Sequence, residues 1–447
     1  MSKLNTAKAN HDVTTHEGGR AFGHLTDVQN LRRAVLSCLL WENQFYEDGV
    51  TIADRIVEYG NMVPVNVLAD LVIEARQDHN LRHVPLLLLS VLAGRAQGTS
   101  LVSDTIYKTI SRADELSEFL CVYAQINGVT PDKVKSKMSA QVKKGLARAF
   151  GKFDAYQLAK YNRKGAITLK DVLFLTHPRP ANDEQQKLWK NLVDGTLSAP
   201  DTWEVGLSGG EDKKETFTRL LKENKLGYMA LLRNLRNMVE AGVDEKLVRD
   251  AIISGNKSKI LPFRFIAAAK YAPRFDSALN DAMIESIKEL PSLTGTTVVL
   301  VDVSYSMVGI KVSAKSDMDR MNAASALGAS VNGDDVRVFS FSNAVVEVPN
   351  RMGLAGVDAI QNSQGNSGTR LRAAIEEINS KVKYDRIIVI TDEQSQDGNG
   401  TPLAGSKAYL INVASNKNGV GYGAWTHIDG FSENVLKYIY ELENVLD

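Results

Sequence analysis

The stretch VVLVDVSYSM (Val298–Met307) places a carboxylate and two hydroxyls at the end of an apolar run. Residues 298–303 are apolar except for Asp302, and a short run of this composition predicts a buried β-strand. Ser304 and Ser306 follow at alternate positions. Because parallel α/β sheets bind ligands beyond the carboxyl ends of their strands, these oxygen atoms indicate a ligand site.

The sequence around this stretch alternates between strand and helix patterns. Short segments rich in Val and Ile predict strands at 296–303, 335–341, 385–391 and 407–413. Helical spacing predicts helices at 316–331, 370–380 and 431–445. Strands that are apolar on both faces favour a parallel sheet covered by helices on both sides. We therefore predict a doubly wound α/β domain over residues 294–447.

The preceding part of the chain, residues 20–290, has helical periodicity throughout. Apolar residues recur every three or four positions in 31–41, 66–76, 84–94 and 114–126, and short Gly-, Pro- or Asn-containing breaks separate such segments. Successive helices with short loops predict an all-α array or solenoid with degenerate repeats. Pro, Ser and Gly cluster at LPSLTGT, so we place the domain boundary between 1–293 and 294–447.

The composition is that of an ordinary globular protein, with 44% hydrophobic and 24% charged residues among 447. We expect no membrane span, because no apolar run reaches about 18 residues. The polar N-terminus lacks the apolar core of a secretion signal. Cys38 and Cys121 form neither a disulfide framework nor a metal knuckle, which indicates a reducing, cytoplasmic location.

Charge is distributed unevenly although the formal net charge is zero. Residues 294–447 carry 13 basic and 18 acidic side chains, a net of −5, which leaves +5 for the remainder. The segment from Lys133 to Arg179 contains 12 Lys and Arg but only two acids, a net of +10. Such a basic segment is typical of a surface that binds a polyanion, although a solvated helical surface is the plainer interpretation.

Two further residues extend the oxygen-rich stretch into a candidate metal site. Asp392 follows the predicted strand IIVIT, and Thr369 lies in a Gly-containing loop before a helix. In a parallel sheet these residues converge with Asp302, Ser304 and Ser306. Two carboxylates and three hydroxyls without His or Cys suit Mg²⁺ or Mn²⁺ better than Zn²⁺. The alternative is a network of turns and helix caps, which Asp and Ser also form.

The order Asp-x-Ser-x-Ser, then Thr, then Asp resembles the metal-ion-dependent adhesion site of von Willebrand factor A-like domains. The resemblance implies that Ser304, Ser306 and Thr369 ligate the metal. Asp302 and Asp392 ligate it or hold its water molecules. It also implies that an acidic group from a protein partner fills the last coordination position.

The helical part resembles the TROVE module of the Ro autoantigen family. The likeness lies in GGRAF (18–22), LRHVPLLLL (81–89), KFDAYQLAKY (152–161), LKDVLFLTHPRP (169–180), GYMALLRNLRNM (227–238) and KSKILPFRFIAAAKY (257–271). The resemblance implies a HEAT-like helical-repeat ring followed by the A-like domain. It also implies a role in noncoding RNA quality control and stress survival. Y-like RNA would bind to the outer surface, and single-stranded ends of misfolded RNA would enter the central hole.

Two basic sets are candidates for RNA contact. The first comprises Lys160, Arg163, Lys164, Lys170 and His177. Lys160 and Lys164 would share a helix face if the helix extends that far. By family position, Lys160, Lys164 and His177 are expected to contact Y RNA. The second set comprises Arg233, Arg236, Lys257, Lys259 and Arg264. Its alternative role is packing and salt bridging between neighbouring helices.

We expect a monomeric, non-enzymatic RNA-binding protein whose metal domain contacts a protein partner. One alternative is an assembly adaptor that binds only proteins through the metal site. Another is a metal-dependent phosphoryl-transfer enzyme. GLSGG (206–210) matches a nucleophile-elbow pattern, but no strand pattern precedes it and we expect a loop there.

Overall fold

The structure, a computed structural model, describes residues 13–14, 20–21, 26–36, 49–78, 81–257, 260, 262–290, 292–310, 319–414, 423–429, 435–436, 439–440 and 443. The chain divides into two compact units. We call Ala53–Asp201 the helical unit. Met1–Ile52 and Thr202–Asp447 together form the mixed unit.

The mixed unit begins with small elements. Strands β1 (Val13–Thr14) and β2 (Arg20–Ala21) pair in antiparallel orientation. Helix α1 (Asp27–Leu36) follows.

The helical unit is built from short helices. They are α2 (Gly49–Met62), α3 (Val65–Gln77), α4 (His83–Arg95), α5 (Ser100–Thr109), α6 (Asp114–Ile126), α7 (Ala140–Phe150), α8 (Ala155–Tyr161), α9 (Leu169–Thr176) and α10 (Asp183–Asp194). Helix α4 is apolar around most of its circumference and is buried accordingly, whereas α7 and α10 bury one stripe each. Polar N-caps define several starts: the Ser139 hydroxyl accepts from the Val142 amide at 3.3 Å.

In the described part of the mixed unit, six more helices precede the sheet. They are α11 (Trp203–Ser208), α12 (Lys213–Lys222), α13 (Tyr228–Glu240), α14 (Glu245–Ser254), α15 (Pro262–Tyr271) and α16 (Asp276–Lys288). In the part of the chain that the structure describes, no helix combines the length and apolarity required to cross a membrane.

Among the described residues, the sheet has six strands in the order β5-β4-β3-β6-β7-β8. Their bounds are β3 (Leu293–Asp302), β4 (Gly333–Phe341), β5 (Val345–Val348), β6 (Arg386–Thr391), β7 (Lys407–Asn412) and β8 (Thr426–Asp429). All neighbours are parallel except β4 and β5, which pair in antiparallel orientation. The four predicted strands are therefore confirmed, while β5 and β8 escaped prediction because both are only four residues long.

Both faces of the sheet are covered, as predicted. Val298 and Leu300 of β3 belong to a core with α19 (Leu371–Lys381). Val299 and Val301, on the opposite face, belong to a core with α17 (Arg320–Gly328) and α18 (Leu354–Gln361). Successive side chains of a strand alternate between faces, so a fully apolar strand requires two apolar layers.

The three helices predicted within residues 294–447 differ in how much of each the structure describes. Helix α17 occupies the described portion of the predicted 316–331, and α19 confirms the prediction at 370–380. Most of the predicted helix 431–445 lies outside the described residues. Helix α18 was not predicted.

The transition from helices to strands occurs at Leu293, where the domain boundary was predicted. The compact units divide the chain at other positions, because α13–α16 share one apolar core with the sheet face of Val299. Polar contacts join the same parts: Lys270 Nζ donates to Asn322 Oδ1 at 2.8 Å, and the Leu354 amide donates to Asn280 Oδ1 at 3.1 Å. These helices thus pack as part of the α/β layer structure.

Candidate metal site and basic surfaces

The strand order explains why the five oxygen-bearing residues predicted from the sequence lie at the same edge of the sheet. Strands β3 and β6 are neighbours at the point where the chain reverses its direction of winding. Asp302 is the last residue of β3, and Asp392 directly follows β6. The register pairs Val301 with Ile390, so the two carboxylates emerge at the same edge. A switch point of this kind is where open α/β sheets bind ligands.

Asp302 is completely buried and fully engaged in hydrogen bonds. Its Oδ1 accepts from the Ser304 amide at 2.9 Å, and its Oδ2 accepts from Thr391 Oγ1 at 2.6 Å. Ser304 and Ser306 are also buried, and their Oγ atoms lie 3.2 Å apart. These bonds fix the direction of the carboxylate and gather three of the predicted donors into one cluster.

Backbone bonds tie the remaining donors to this cluster. The Tyr305 amide donates to the Ser367 carbonyl at 3.0 Å, which attaches the loop of Thr369 to the serine loop. The Thr369 carbonyl accepts from the Gln396 amide at 2.9 Å, which attaches the same loop to the segment after Asp392. Thr369 and Asp392 are both buried. Three loops are therefore joined around the ends of β3 and β6.

The electrostatics of the cluster favour a cation. Burial, together with the charge of Asp392, raises the pKa of Asp302 to about 7. Arg320 approaches from the start of α17, with its Nη1 3.9 Å from Asp392 Oδ2, and both side chains are buried. One guanidinium facing two buried carboxylates leaves the cluster anionic when both are ionised.

The donor set contains oxygen alone. No group of three or more His, Cys, Asp and Glu suited to a metal ion occurs within the described ranges. That finding is compatible with a site in which hydroxyl oxygens supplement two carboxylates, as in hard-cation coordination. The arrangement can hold a small divalent ion or, without one, a buried hydrogen-bonded network.

Sequence reasoning missed a second buried pair next to Asp392. His427 of β8 lies with Nε2 2.5 Å from Glu393 Oε1, and both side chains are fully buried. Glu393 has a φ of 62°, an uncommon conformation for a residue with a side chain. The sequence signal was an acidic pair, Asp392-Glu393, but the histidine is brought close only by the sheet.

The first basic set lies in the helical unit and is mostly exposed. Arg163, Lys164, Lys170 and His177 are exposed, and Lys160 is half-buried. Helix α8 ends at Tyr161, so Lys164 lies in a loop and does not share a helix face with Lys160. His177 caps α9 with a φ of 49°, and its amide donates to the Leu173 carbonyl at 2.9 Å.

The two acids within the basic segment both cap helices. Asp154 Oδ1 accepts from the Gln157 amide at 2.7 Å at the start of α8. Asp171 Oδ2 accepts from the Thr168 amide at 2.8 Å at the start of α9. Since both carboxylates face backbone amides, they are oriented away from pairing with the lysines. The two acids of the segment therefore do not neutralise its lysines, and Arg148 pairs with Asp104 outside the segment.

The second basic set has mixed surroundings in the mixed unit. Lys257 is buried, with Nζ 3.0 Å from Glu285 Oε2, and this contact supports the packing role rather than phosphate binding. Arg236 is exposed but pairs with Glu240 at 2.8 Å. Burial and the neighbouring Arg233 charge lower the pKa of Arg264. Lys259 lies outside the described residues.

The fold defines the class: an all-α array joined to a doubly wound α/β domain with the von Willebrand factor A-like fold. Residues 193–284 match the family model described as TROVE domain. The fold is similar to the crystal structure of the Ro (RSR) protein of Deinococcus radiodurans, with a TM-score of 0.61 and 18% identity, over 94% of this chain and 100% of that one. The predicted fold class is confirmed.

These findings support the resemblance to the Ro family. The match to the TROVE model covers about a fifth of the chain. It includes the quoted stretches 227–238 and 257–271, while the earlier stretches fall outside it. Ser208 of the nucleophile-elbow pattern is the last residue of α11, and the element that precedes α11 among the described residues is helix α10, not a strand. A short helix therefore replaces the predicted loop.

Proposed function

We propose that this chain is an RNA-binding protein of the Ro type. The TROVE match and the Ro-like fold support this class. The observation that carries the proposal is the exposed basic surface of the helical unit, whose two local acids are engaged as helix caps. Clustered cations bind the phosphate backbone and release counterions, with little dependence on sequence.

The proposed ligands are small noncoding, Y-like RNAs at the first basic set. Single-stranded ends of misfolded RNAs are the proposed ligands of Arg233, Arg264 and their neighbours. The charge of Arg233, which contributes with burial to lowering the pKa of Arg264, supports an anionic ligand there. The cellular role proposed is RNA quality control and stress survival by a monomeric cytoplasmic protein. Crosslinking in cells followed by RNA sequencing tests both ligand classes.

A salt titration tests RNA binding itself. The purified protein is mixed with a labelled hairpin RNA, and the dissociation constant is measured by filter binding between 50 and 200 mM salt. If about six to ten phosphates are contacted, affinity falls roughly 10³- to 10⁵-fold over that range. An affinity below detection at the lowest salt concentration would refute the proposal.

We further infer a Mg²⁺ site formed by Asp302, Ser304, Ser306, Thr369 and Asp392. The buried oxygen donors and the raised pKa of Asp302 support it, because a divalent ion would neutralise two carboxylates held together in a dry site. A bound ion would supply an open coordination position for an acidic group of a protein partner. No catalytic step is proposed for this cluster. Calorimetry with Mg²⁺ at two temperatures tests the site, and an absence of heat at both would exclude it.

A protein-binding adaptor remains the second candidate function. Tyr305, between the two serines, is 71% exposed beside the candidate metal site. Exposed tyrosines are frequent anchors of protein interfaces. Partner binding that is insensitive to salt but abolished by EDTA would favour this function, whereas metal-dependent RNA cleavage lost in Asp302→Ala would indicate a phosphoryl-transfer enzyme.

A further inference from the structure

A groove with an exposed aromatic ring lies between α9 and α10 of the helical unit. Its volume is about 420 Å³, within the roughly 300–1,000 Å³ typical of small-ligand sites. The lining residues are Leu173, Phe174, Pro180, Gln186, Trp189, Lys190 and Val193. Phe174 is 49% exposed, which leaves a large apolar ring facing water.

The floor of the groove is held in place by the core. Trp189 is buried and packs edge-on against Phe150, with ring centroids 5.5 Å apart and an interplanar angle of 85°. Edge-to-face packing of this kind is favourable beyond the area it buries. Because the capping box of α9 and the N-cap of α10 fix the two helix starts, the groove is a stable feature of the unit.

Positive charge surrounds the exposed ring. Lys190 lines the groove, and Lys170 Nζ donates to the carbonyl of the lining residue Val193 at 2.9 Å. Lys170 and Phe174 are four residues apart on α9 and so share a face. His177 caps the same helix. None of the lining residues is acidic, and Gln186 offers an amide.

We propose that this groove binds one unpaired RNA base, stacked on Phe174, with the flanking phosphates held by Lys170 and Lys190. The proposal rests on the proposed RNA-binding function and deepens it. A base combines a flat apolar face with a polar edge and two adjoining negative charges. An apolar ring, a side-chain amide and two lysines match those three features. An apolar peptide bound in the groove would offer no negative charge to the two lysines.

The test uses two hairpin RNAs that differ at one position. The first carries a single bulged 2-aminopurine, and in the second the same base is paired with uracil. On binding of the bulged hairpin, stacking on Phe174 is expected to quench the 2-aminopurine fluorescence. Phe174→Ala and Phe174→Leu abolish the quenching and weaken binding of the bulged hairpin about 5- to 150-fold, the effect of losing one base–aromatic stack. Phe174→Tyr retains both.

The leucine variant separates a base from other occupants, since it preserves an apolar groove but removes the π-face. Equal affinity of wild type and all three variants for the bulged hairpin, with no quenching, would overturn the groove proposal while the RNA function stands. A change of oligomeric state in Phe174→Ala, seen by sedimentation, would indicate a second copy in the groove and also overturn it. Failure of wild type to bind either hairpin at low salt would refute the RNA function itself.

Discussion

At the scale of single residues, the decisive feature is the pair of buried carboxylates at the switch point. Asp302 and Asp392 are both fully buried, and their mutual repulsion adds to the cost of burial. Four local contacts offset part of this cost, from Ser304, Thr391, Gln394 and Arg320. A bound cation would relieve the repulsion between the two carboxylates and would therefore stabilise the folded protein.

Asp302→Asn is expected to stabilise the metal-free protein above neutral pH. The folded-state pKa of Asp302 is raised from 3.8 to about 7, so its contribution to stability is fully present below pH ~4 and is lost as pH rises to about 7. The difference in unfolding free energy between variant and wild type should therefore grow by on the order of 2 kcal/mol between pH 5 and pH 7.5. Urea unfolding in EDTA measures it.

Mg²⁺ provides the control for that experiment. Wild-type stability should rise with added Mg²⁺, while Asp302→Asn should not respond. RNA affinity should remain the same in both proteins. A pH-independent difference between them would mean that Asp302 is not the group that titrates.

Arg320→Gln is expected to tighten Mg²⁺ binding about tenfold. A positive charge near Asp392 opposes a second cation. Two unit charges about 4 Å apart interact by about 4 kcal/mol at an effective dielectric constant near 20, and roughly a third of that energy corresponds to a tenfold change in affinity. Calorimetry with Mg²⁺ measures the change. Arg351→Gln, which removes an exposed arginine of the same sheet domain, serves as the matched control. Weaker binding in Arg320→Gln would show that Arg320 supports the site instead.

At the scale of elements, strand β6 is fastened to the C-terminal segment by a buried ion pair. Arg386 Nε donates to Glu443 Oε1 at 2.5 Å, and its Nη1 donates to Thr297 Oγ1 at 2.8 Å. Burial by itself would raise the pKa of Glu443, but hydrogen bonds and charge from Arg386, with Lys407 and Tyr409, hold the pKa below its usual range. Residues of β6 and β7 thus contact the Glu443 carboxylate directly, and β3 is connected to it through Arg386.

Arg386→Ala is expected to destabilise the protein by about 3–5 kcal/mol, because it leaves Glu443 buried with fewer partners. The midpoint of chemical denaturation, read by circular dichroism, measures this loss. Lys381→Ala is the control, since its exposed pair with Glu377 should contribute less than about 1 kcal/mol. Equal effects of the two substitutions would mean that the Arg386 pair is no stronger than a surface contact.

At the scale of the whole molecule, the first basic set and the candidate metal site lie in different compact units. The basic surface belongs to Ala53–Asp201, and the carboxylate cluster belongs to the unit that includes the sheet. The candidate metal site and the first basic set should therefore respond to different substitutions. Loss of one binding activity in a variant should leave the other intact.

The double substitution Lys160→Ala with Lys164→Ala is expected to lower affinity for a hairpin RNA and to leave the fold unchanged. Each lost phosphate contact should reduce the slope of log affinity against log salt by about 1. Filter binding between 50 and 200 mM salt measures both quantities. Lys381→Ala with Lys383→Ala, two exposed lysines of the sheet domain, is the matched control. An unchanged slope would exclude these lysines from the interface.

Individual residues show which features of the structure the local sequence pattern could predict. The sequence predicted β3, β4, β6 and β7, because their Val- and Ile-rich segments are local signals. The five oxygen donors followed from Asp302 and the strand order. The sequence left the surroundings of Lys257 and Lys164 open, because burial against Glu285 and the end of α8 at Tyr161 depend on packing. Arg320, His427 and the Phe174 groove gave no local signal.

The sequence by itself determined the helical and the strand-rich parts of the chain and the transition between them near Leu293. It also determined the basic segment and which residues are candidate metal ligands. These features depend on residue type and spacing along the chain. Tertiary structure alone decided that β3 and β6 are neighbours, that Asp302 and Asp392 are buried together, and that α13–α16 share the core of the sheet. Those outcomes arise from contacts between residues distant in sequence, which no short window of residues specifies.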